Sequence, residues 1–469
     1  MTPRPQLLRR LRELHVVDAE AEAALERDGI ITIADLELAI AEQRPAVSAP
    51  SFARALPVIA AEQRPIMLGR AAEIASGIIA AISEHCPAVE ALEVSGGVRR
   101  AEPLVPGIVV VGRAADPMRA IQDVGGLPHV SEVLHKSARR VLLFFEGYEV
   151  DVRICAADDY GSVLFTTTGP PSHVADVFKR RARRLAATEA DVYGHAGLAC
   201  LPPETRHAPD AIERAESPRI PALVQVADIR GDLHMHTSYS DGRDTLRQMV
   251  QAARALGDEY IAITDHSEHA GASRTLTLDD LARQRGEIER VRAEVPGMAI
   301  LHGIEADILP NGSLDCPDAV LATLDIVLAS LHDPDGQDGK RLTKRCLAAI
   351  RHPLVSVITH PTNQLVGRRE GYDMDYDAVY AAAAETGTAL EVDGAPSHLD
   401  LDGERAGAAV RAGVTLVIDS DCHRAPALGR QMQMGVGTAR RGWVEARHVL
   451  NTGRLADVRA FLARKRARR

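Results

Sequence analysis

Between residues 231 and 423 short apolar runs end, one after another, in His, Asp or Glu, and no other feature constrains the fold as much. Leu233, after the β-branched approach of Val224, Val226 and Ile229, leads into His234-Met235-His236, two imidazoles on one face of an extended strand end. Tyr260-Ile261-Ala262-Ile263-Thr264 ends in Asp265-His266, and Met298-Ala299-Ile300-Leu301 leads to Gly303-Ile304-Glu305. Ile326 to Leu331 ends in His332, Leu354 to Thr359 in His360-Pro361, and Leu416 to Ser420 in Asp421-Cys422-His423. Helical stretches such as 244–256 and 278–293 separate them. Repeated strand and helix predict a parallel α/β barrel, and the C-terminal ends of its strands converge on one mouth. One H-x-H pair is equally compatible with two polar residues on a strand end. Six such ends in series predict a polynuclear metal site.

Local motifs sharpen this expectation. D-L-H-M-H-T with S-D-G (232–242), T-D-H-S (264–267), G-I-E-A-D-I (303–308), S-L-H, T-H-P and S-D-C-H resemble those of the PHP (polymerase and histidinol phosphatase) family of metal-dependent phosphoesterases. L-V-G-R-R-E-G-Y after T-H-P and G-V-G-T-A-R-R-G-W near the end are similar to the C-terminal PHP domain of bacterial family X DNA polymerases. The resemblance implies a distorted (β/α)7 barrel with two or three divalent ions, Zn or Mn. Carried over by position, the metal ligands are His234, His236, Asp241, His266, Glu305, His332, His360, Asp421 and His423. Glu305 is expected to bridge two ions, and Glu305, Asp421 and His423 to serve catalysis directly.

The chain has 469 residues, 46% of them hydrophobic, enough for two or three domains with cores of their own. No run approaches the roughly 20 apolar residues of a membrane span, and residues 1–12 lack a signal-peptide core. Six scattered cysteines without a C-x-x-C pair suit a reducing compartment, so a cytoplasmic location is expected. Cys422, between two expected ligands, should point away from both and act as a small buried filler. The net charge is −10, and neither half, divided at residue 225, is basic overall. That is unlike a dedicated duplex-gripping domain. The runs Lys179-Arg180-Arg181 with Arg183 and Arg184, and Arg464-Lys465-Arg466 with Arg468 and Arg469, read as solvated helix faces or a frayed end.

The N-terminal half extends the resemblance while its chemistry is gone. Residues 1–45 read as helices similar to a helix-hairpin-helix of family X polymerases, but the Gly-x-Gly turn that would clamp a phosphate falls on His15-Val16-Val17, followed by Asp18. Residues 50–220 resemble an α+β nucleotidyltransferase palm and thumb. Gly97 stands at the Ser position of the Gly-Ser pattern, and Gly107 and Val109 stand at the Asp-x-Asp positions. Only the third Asp remains, as Asp151, and Thr168-Gly169-Pro170-Pro171 replaces Thr-Gly-Ser-Lys. One carboxylate cannot hold two hard cations, so no polymerase activity is expected and Asp151 reads as a strand-end polar residue. The hollow half reads as a scaffold, either a binding module or a dimerisation surface.

The third expected region, 228–469, carries the chemistry. Phosphoester hydrolysis needs a nucleophile at neutral pH, neutralised phosphate oxygens and help for the leaving alkoxide, and a cluster of divalent ions supplies all three. Arg368 and Arg369, after the His360 strand end, offer forks for substrate phosphate, or salt bridges to Glu370 or Asp373. His398, where the subgroup carries Arg, and Asn363-Gln364, where it carries Gly-Arg, are departures near the mouth, and His398 is a third candidate for substrate contact. His269, His302 and His352 read as surface or packing residues. The substrate expectation is DNA ends, single-stranded or gapped, cut in the 3′-5′ exonuclease manner. The alternatives are a small phosphate ester of histidinol-phosphatase type, favoured by the acidic charge, and a non-catalytic DNA-repair scaffold.

Overall fold

The computed structural model describes residues 5–62, 64–332 and 336–467. Two compact units divide the chain, Met1–Ile220 and Pro221–Arg469.

The first unit opens with helices Gln6–Glu13, Ala19–Arg27 and Ile33–Ala41. Asp18 is the N-cap of the second, its carboxylate accepting the Ala21 N–H at 2.8 Å. Seven strands follow: β1 (Ile66–Met67), β2 (Glu90–Ser95), β3 (Leu104–Val105), β4 (Ile108–Arg113), β5 (Val130–Lys136), β6 (Arg140–Phe145) and β7 (Tyr148–Cys155). Five form a sheet in the order β2-β4-β7-β6-β5, with β4 and β7 parallel. The helical segment shares a buried cluster with Leu134 and Leu142 of that sheet.

In the second unit β8 (Gly231–Asp232), β9 (Tyr260–Ile263), β10 (Ala299–Asp307), β11 (Ile326–Ser330), β12 (Val357–Ile358), β13 (Ala389–Asp393) and β14 (Leu416–Asp419) pair in parallel in sequence order. The two edges meet where Met235 bridges Cys422 in parallel and the His236 N–H donates to the Cys422 carbonyl at 3.0 Å. This is the seven-stranded α/β barrel that the family resemblance implies. The approach to β8 differs, because Val226–Asp228 is a 3-10 turn and the strand itself spans two residues.

Alternation along the strands places the core. Tyr260, Ala262, Leu301, Ile326, Leu328, Val357, Ala389 and Val417 share one buried cluster with Val458, Phe461 and Leu462 of the C-terminal helix Leu455–Ala467. Further along the same faces come polar side chains, Glu305 four residues past Leu301 on β10 and Glu391 two past Ala389 on β13, both fully buried. A period of two thus carries each strand from an apolar base to a polar mouth. The C-terminal helix is also tied by hydrogen bonds: Lys465, 3% exposed, donates to the Ile350 carbonyl at 2.7 Å and Arg466 to Leu324 O at 2.6 Å. That part of the basic tail is not a frayed end, while Arg468 and Arg469 lie outside the described residues.

Candidate metal centre

The nine expected ligands fall into three groups at the mouth: His236, Asp241, His266 and His423; His234, His236 and Asp421; and Glu305, His332 and His360. His236 Nε2 stands 3.1 Å from His234 Nε2 and 3.0 Å from Asp421 Oδ1, and His423 Nε2 is 3.2 Å from Asp241 Oδ1. Donors 2.0–2.1 Å from a tetrahedral ion stand roughly 3.3 Å apart, so these spacings suit a shared cation. The two Glu305 oxygens face different partners, Oε1 lying 3.0 Å from His360 Nε2 and Oε2 2.7 Å from His266 Nδ1.

Only some of these contacts are aligned hydrogen bonds, such as His360 Nε2 to Glu305 Oε1. Glu305 Oε2, His266 Nδ1 and Asp241 Oδ1 are buried without an aligned partner. Fully desolvated donors left this way cost stability unless something else occupies their lone pairs, and imidazole with carboxylate suits Zn or Mn. The donor set therefore fits divalent ions.

Backbone geometry aims two of these side chains. His360 and Asp421 have φ of 26° and 47°, in the left-handed region that costs a non-glycine residue energy and collects at functional sites. Gly242, after Asp241, lies so close to the His236 carbonyl that a Cβ would stand 2.6 Å from its carbon.

Carboxylates outside the expected set hold the imidazoles. Glu391 accepts from His234 Nδ1 and from the His360 N–H, each at 2.7 Å, and Asp307 lies 3.0 Å from His332 Nδ1. A carboxylate on one ring nitrogen leaves the other with its lone pair toward the mouth. Asp265 fixes the loop before Asp241, accepting Thr237 N–H and Oγ1 at 2.7 Å, Ser240 Oγ at 2.5 Å and Gln284 Nε2 at 2.6 Å. The strand around Glu391 was not among the six read from the sequence. Its signal was the alternation Ala389-Leu390-Glu391-Val392-Asp393, whose odd-numbered members share the inner face.

Electrostatics divide the cluster. Burial brings the His236 imidazole down to about 3, helped by the neighbouring His423 and His266. Against burial, Glu305 holds His360 up at about 9, and Asp241 with Asp421 does the same for His423. Glu305 itself, although burial opposes it, is held well below the usual carboxylate range by His266 and His234.

The expected substrate contacts divide. His398 stacks on His360 with centroids 5.3 Å apart. Arg368 and Arg369 are exposed on the turn closed by the Leu365–Arg369 bridge, where Arg369 donates to the Asn363 carbonyl at 2.7 Å. Cys422 points away from the mouth into an apolar cluster with Met235 and Leu428. His302 is buried against Gln284, His352 pairs with Asp318, and His269 is exposed.

In the first unit Val109 pairs directly with Asp151, so the lost and the surviving aspartate positions are neighbours on parallel strands. Asp151 is not a strand-end residue. It lies inside β7, 3% exposed, bound by Arg140 at 2.8 Å and Arg153 at 2.9 Å, and both arginines also reach Asp35. A cavity of about 320 Å³ bordered by Gly97, Gly107, Val109 and Asp151 remains there. A Cβ on Gly97 would stand 2.4 Å from Glu102 Oε2 and 2.8 Å from Val105 Cγ1, so packing has closed over the former Ser position.

Comparison with known proteins gives the family. Residues 232–385 match the model of the PHP domain. The DNA polymerase/3′-5′ exonuclease PolX of Bacillus subtilis is 37% identical over 392 residues, covering 79% of this chain and 68% of that protein. A probable phosphatase of Caldanaerobacter subterraneus is 32% identical over 211 residues, 42% of this chain and 78% of its own. A histidinol phosphate phosphatase from Lactococcus lactis, solved with zinc, L-histidinol and phosphate, covers 46% of this chain and 95% of its own at 17% identity and TM-score 0.35. Barrel, mouth and relatives together define a metal-dependent phosphoesterase of the PHP class. Within it, the chain belongs to the family of bacterial X-type DNA polymerases that carry a C-terminal PHP domain.

Proposed function

We propose that the barrel mouth hydrolyses phosphoesters at DNA ends in the 3′-5′ exonuclease manner, with two or three Zn or Mn ions held by the nine mouth residues. The observation that carries this reading is the convergence of nine ligand-type side chains into three groups with donor spacings suited to shared cations. The likeness to the Bacillus subtilis protein supports DNA as the substrate. Bound divalent ions supply a water nucleophile at neutral pH and neutralise the attacking and leaving oxygens. The protein's own part is positioning. Glu391 and Asp307 set the imidazoles of His234 and His332, Asp265 fixes the Asp241 loop, and the two oxygens of Glu305 face two ligand groups. Asp421 and His423 complete the catalytic set, and Arg368 and Arg369 offer phosphate forks at the rim. We assign no nucleotidyl transfer to the first unit, since Asp151 is engaged by two arginines and its two partner positions are Gly107 and Val109.

A second reading, a small phosphate ester as substrate, draws on the phosphatase relatives of the barrel region and on the net charge of −10. The test is hydrolysis of 3′-labelled single-stranded and gapped DNA beside histidinol phosphate and an aryl phosphate, using metal-stripped protein with Mn or Zn returned. Stepwise nucleotide release from DNA is expected. Turnover of the small esters alone would establish the second reading.

A further inference from the structure

The mouth holds a pair of side chains that the nine ligands leave aside. Asp393 ends β13 in register with Ala389 and Glu391, so it faces inward, and it is fully buried. Its Oδ1 accepts the Ala395 N–H at 2.5 Å, while Oδ2 is buried without a hydrogen-bond partner among the described residues. His398 stands on the loop that follows. That loop is held by His398 N–H to the Ala395 carbonyl at 2.9 Å and by Gln364 Nε2 to the His398 carbonyl at 2.9 Å. Its ring lies on that of His360 at an interplanar angle of 24°, and Nδ1 is buried and likewise unpartnered. Asp393, His398 and Asp421 offer one donor atom each, all within 4.8 Å of one another.

Charge gives this arrangement a direction. Asp393 has Asp421 and Glu391 as electrostatic neighbours, so its carboxylate stands near two others. His398 has the His360 ring stacked on it and His332 as a further imidazole neighbour. No hydrogen bond joins the two buried atoms among the described residues, and a cation between them would engage both and offset the carboxylate repulsion.

We propose that Asp393 and His398, together with Asp421, form a further divalent-cation position at the barrel mouth, beside the three groups formed by the nine ligands. One imidazole and two carboxylates suit Mn or Zn, and three protein donors leave coordination positions open to an oxyanion such as a phosphate oxygen. His398 would thereby meet substrate through a cation. The inference rests on the reading of the mouth as a metal centre.

The test is metal content, measured on full-length protein. Metal-stripped wild type, His398→Ala and Asp393→Asn are dialysed to saturation against Mn and, separately, Zn, and ions per chain are counted by elemental analysis with circular dichroism as a control for folding. Wild type is expected to hold one more ion per chain than either variant. Equal ion counts in all three proteins overturn the inference while leaving the metal centre intact. Loss of every ion from a folded variant also overturns it, because the two residues then support the common centre and form no separate position. A wild type that takes up no ion refutes the metal-centre reading itself. If His398→Ala does not fold, His398→Gln replaces it in the same comparison.

Discussion

Glu391 touches no substrate in this account, yet it positions two rings at once, through His234 Nδ1 and the His360 N–H. Glu391→Gln keeps the shape and removes the charge that orients His234. Its expected effect is a 10- to 100-fold loss of metal affinity, about the size found for such outer partners, read by titration of metal-stripped protein. Unchanged affinity would mean that the ring is held by packing alone. At the same scale, Arg140 binds both Asp35 and Asp151 from a buried position. Arg140→Ala leaves the buried Asp151 and the part-buried Asp35 with Arg153 alone and is expected to cost about 3 kcal/mol in denaturant unfolding of the first unit. Although burial opposes it, Arg140 and Arg153 hold the Asp35 carboxyl well below its ordinary 3.8. A folded value below the unfolded one stabilises the fold above that ordinary value and loses the contribution as pH falls through the folded value. Unfolding measured below pH 4 should therefore show a loss of stability that Asp35→Asn lacks.

At the scale of elements, the barrel is a set of strands whose inner faces change from apolar to polar within four residues. On β10, Leu301 lies in the base cluster and Glu305 in the mouth. This change was legible in the sequence wherever a run of apolar residues met a ligand-type residue, and six strand ends were found that way. β13 escaped because Glu391 interrupts its apolar run before Asp393 ends it. The re-aiming of His360 and Asp421 escaped for another reason: strand alternation cannot foretell a left-handed φ, which only the surrounding contacts impose. In the first unit the loss of Gly107 and Val109 as carboxylates was plain from the sequence. The ion network was not, since it joins residues 35, 140, 151 and 153 across more than a hundred positions.

At the scale of the whole molecule, one unit carries a five-stranded sheet with Asp151 paired beside Val109, and the other carries nine ligand-type residues in three groups. No described helix is long and apolar enough to cross a membrane. Cations bound only by the folded barrel should raise its unfolding temperature, by about 2.7 kcal/mol of added stability when Mn is supplied at 100 times its Kd, and a chelator should reverse the shift. The cavity beside Asp151 should support no template-directed nucleotide addition, which a primer-extension assay checks directly. The measurement that bears most closely on the central claim is the rate of DNA-end hydrolysis as Mn is returned stepwise to metal-stripped protein, wild type beside His236→Ala. The account predicts a rate that is absent without metal and rises with loading in wild type, and that falls by about 10²–10³-fold in the variant, the usual cost of removing one preorganised charge-stabilising group. Equal rates in the two proteins, or hydrolysis that persists without metal, would contradict a phosphoesterase centre at the barrel mouth.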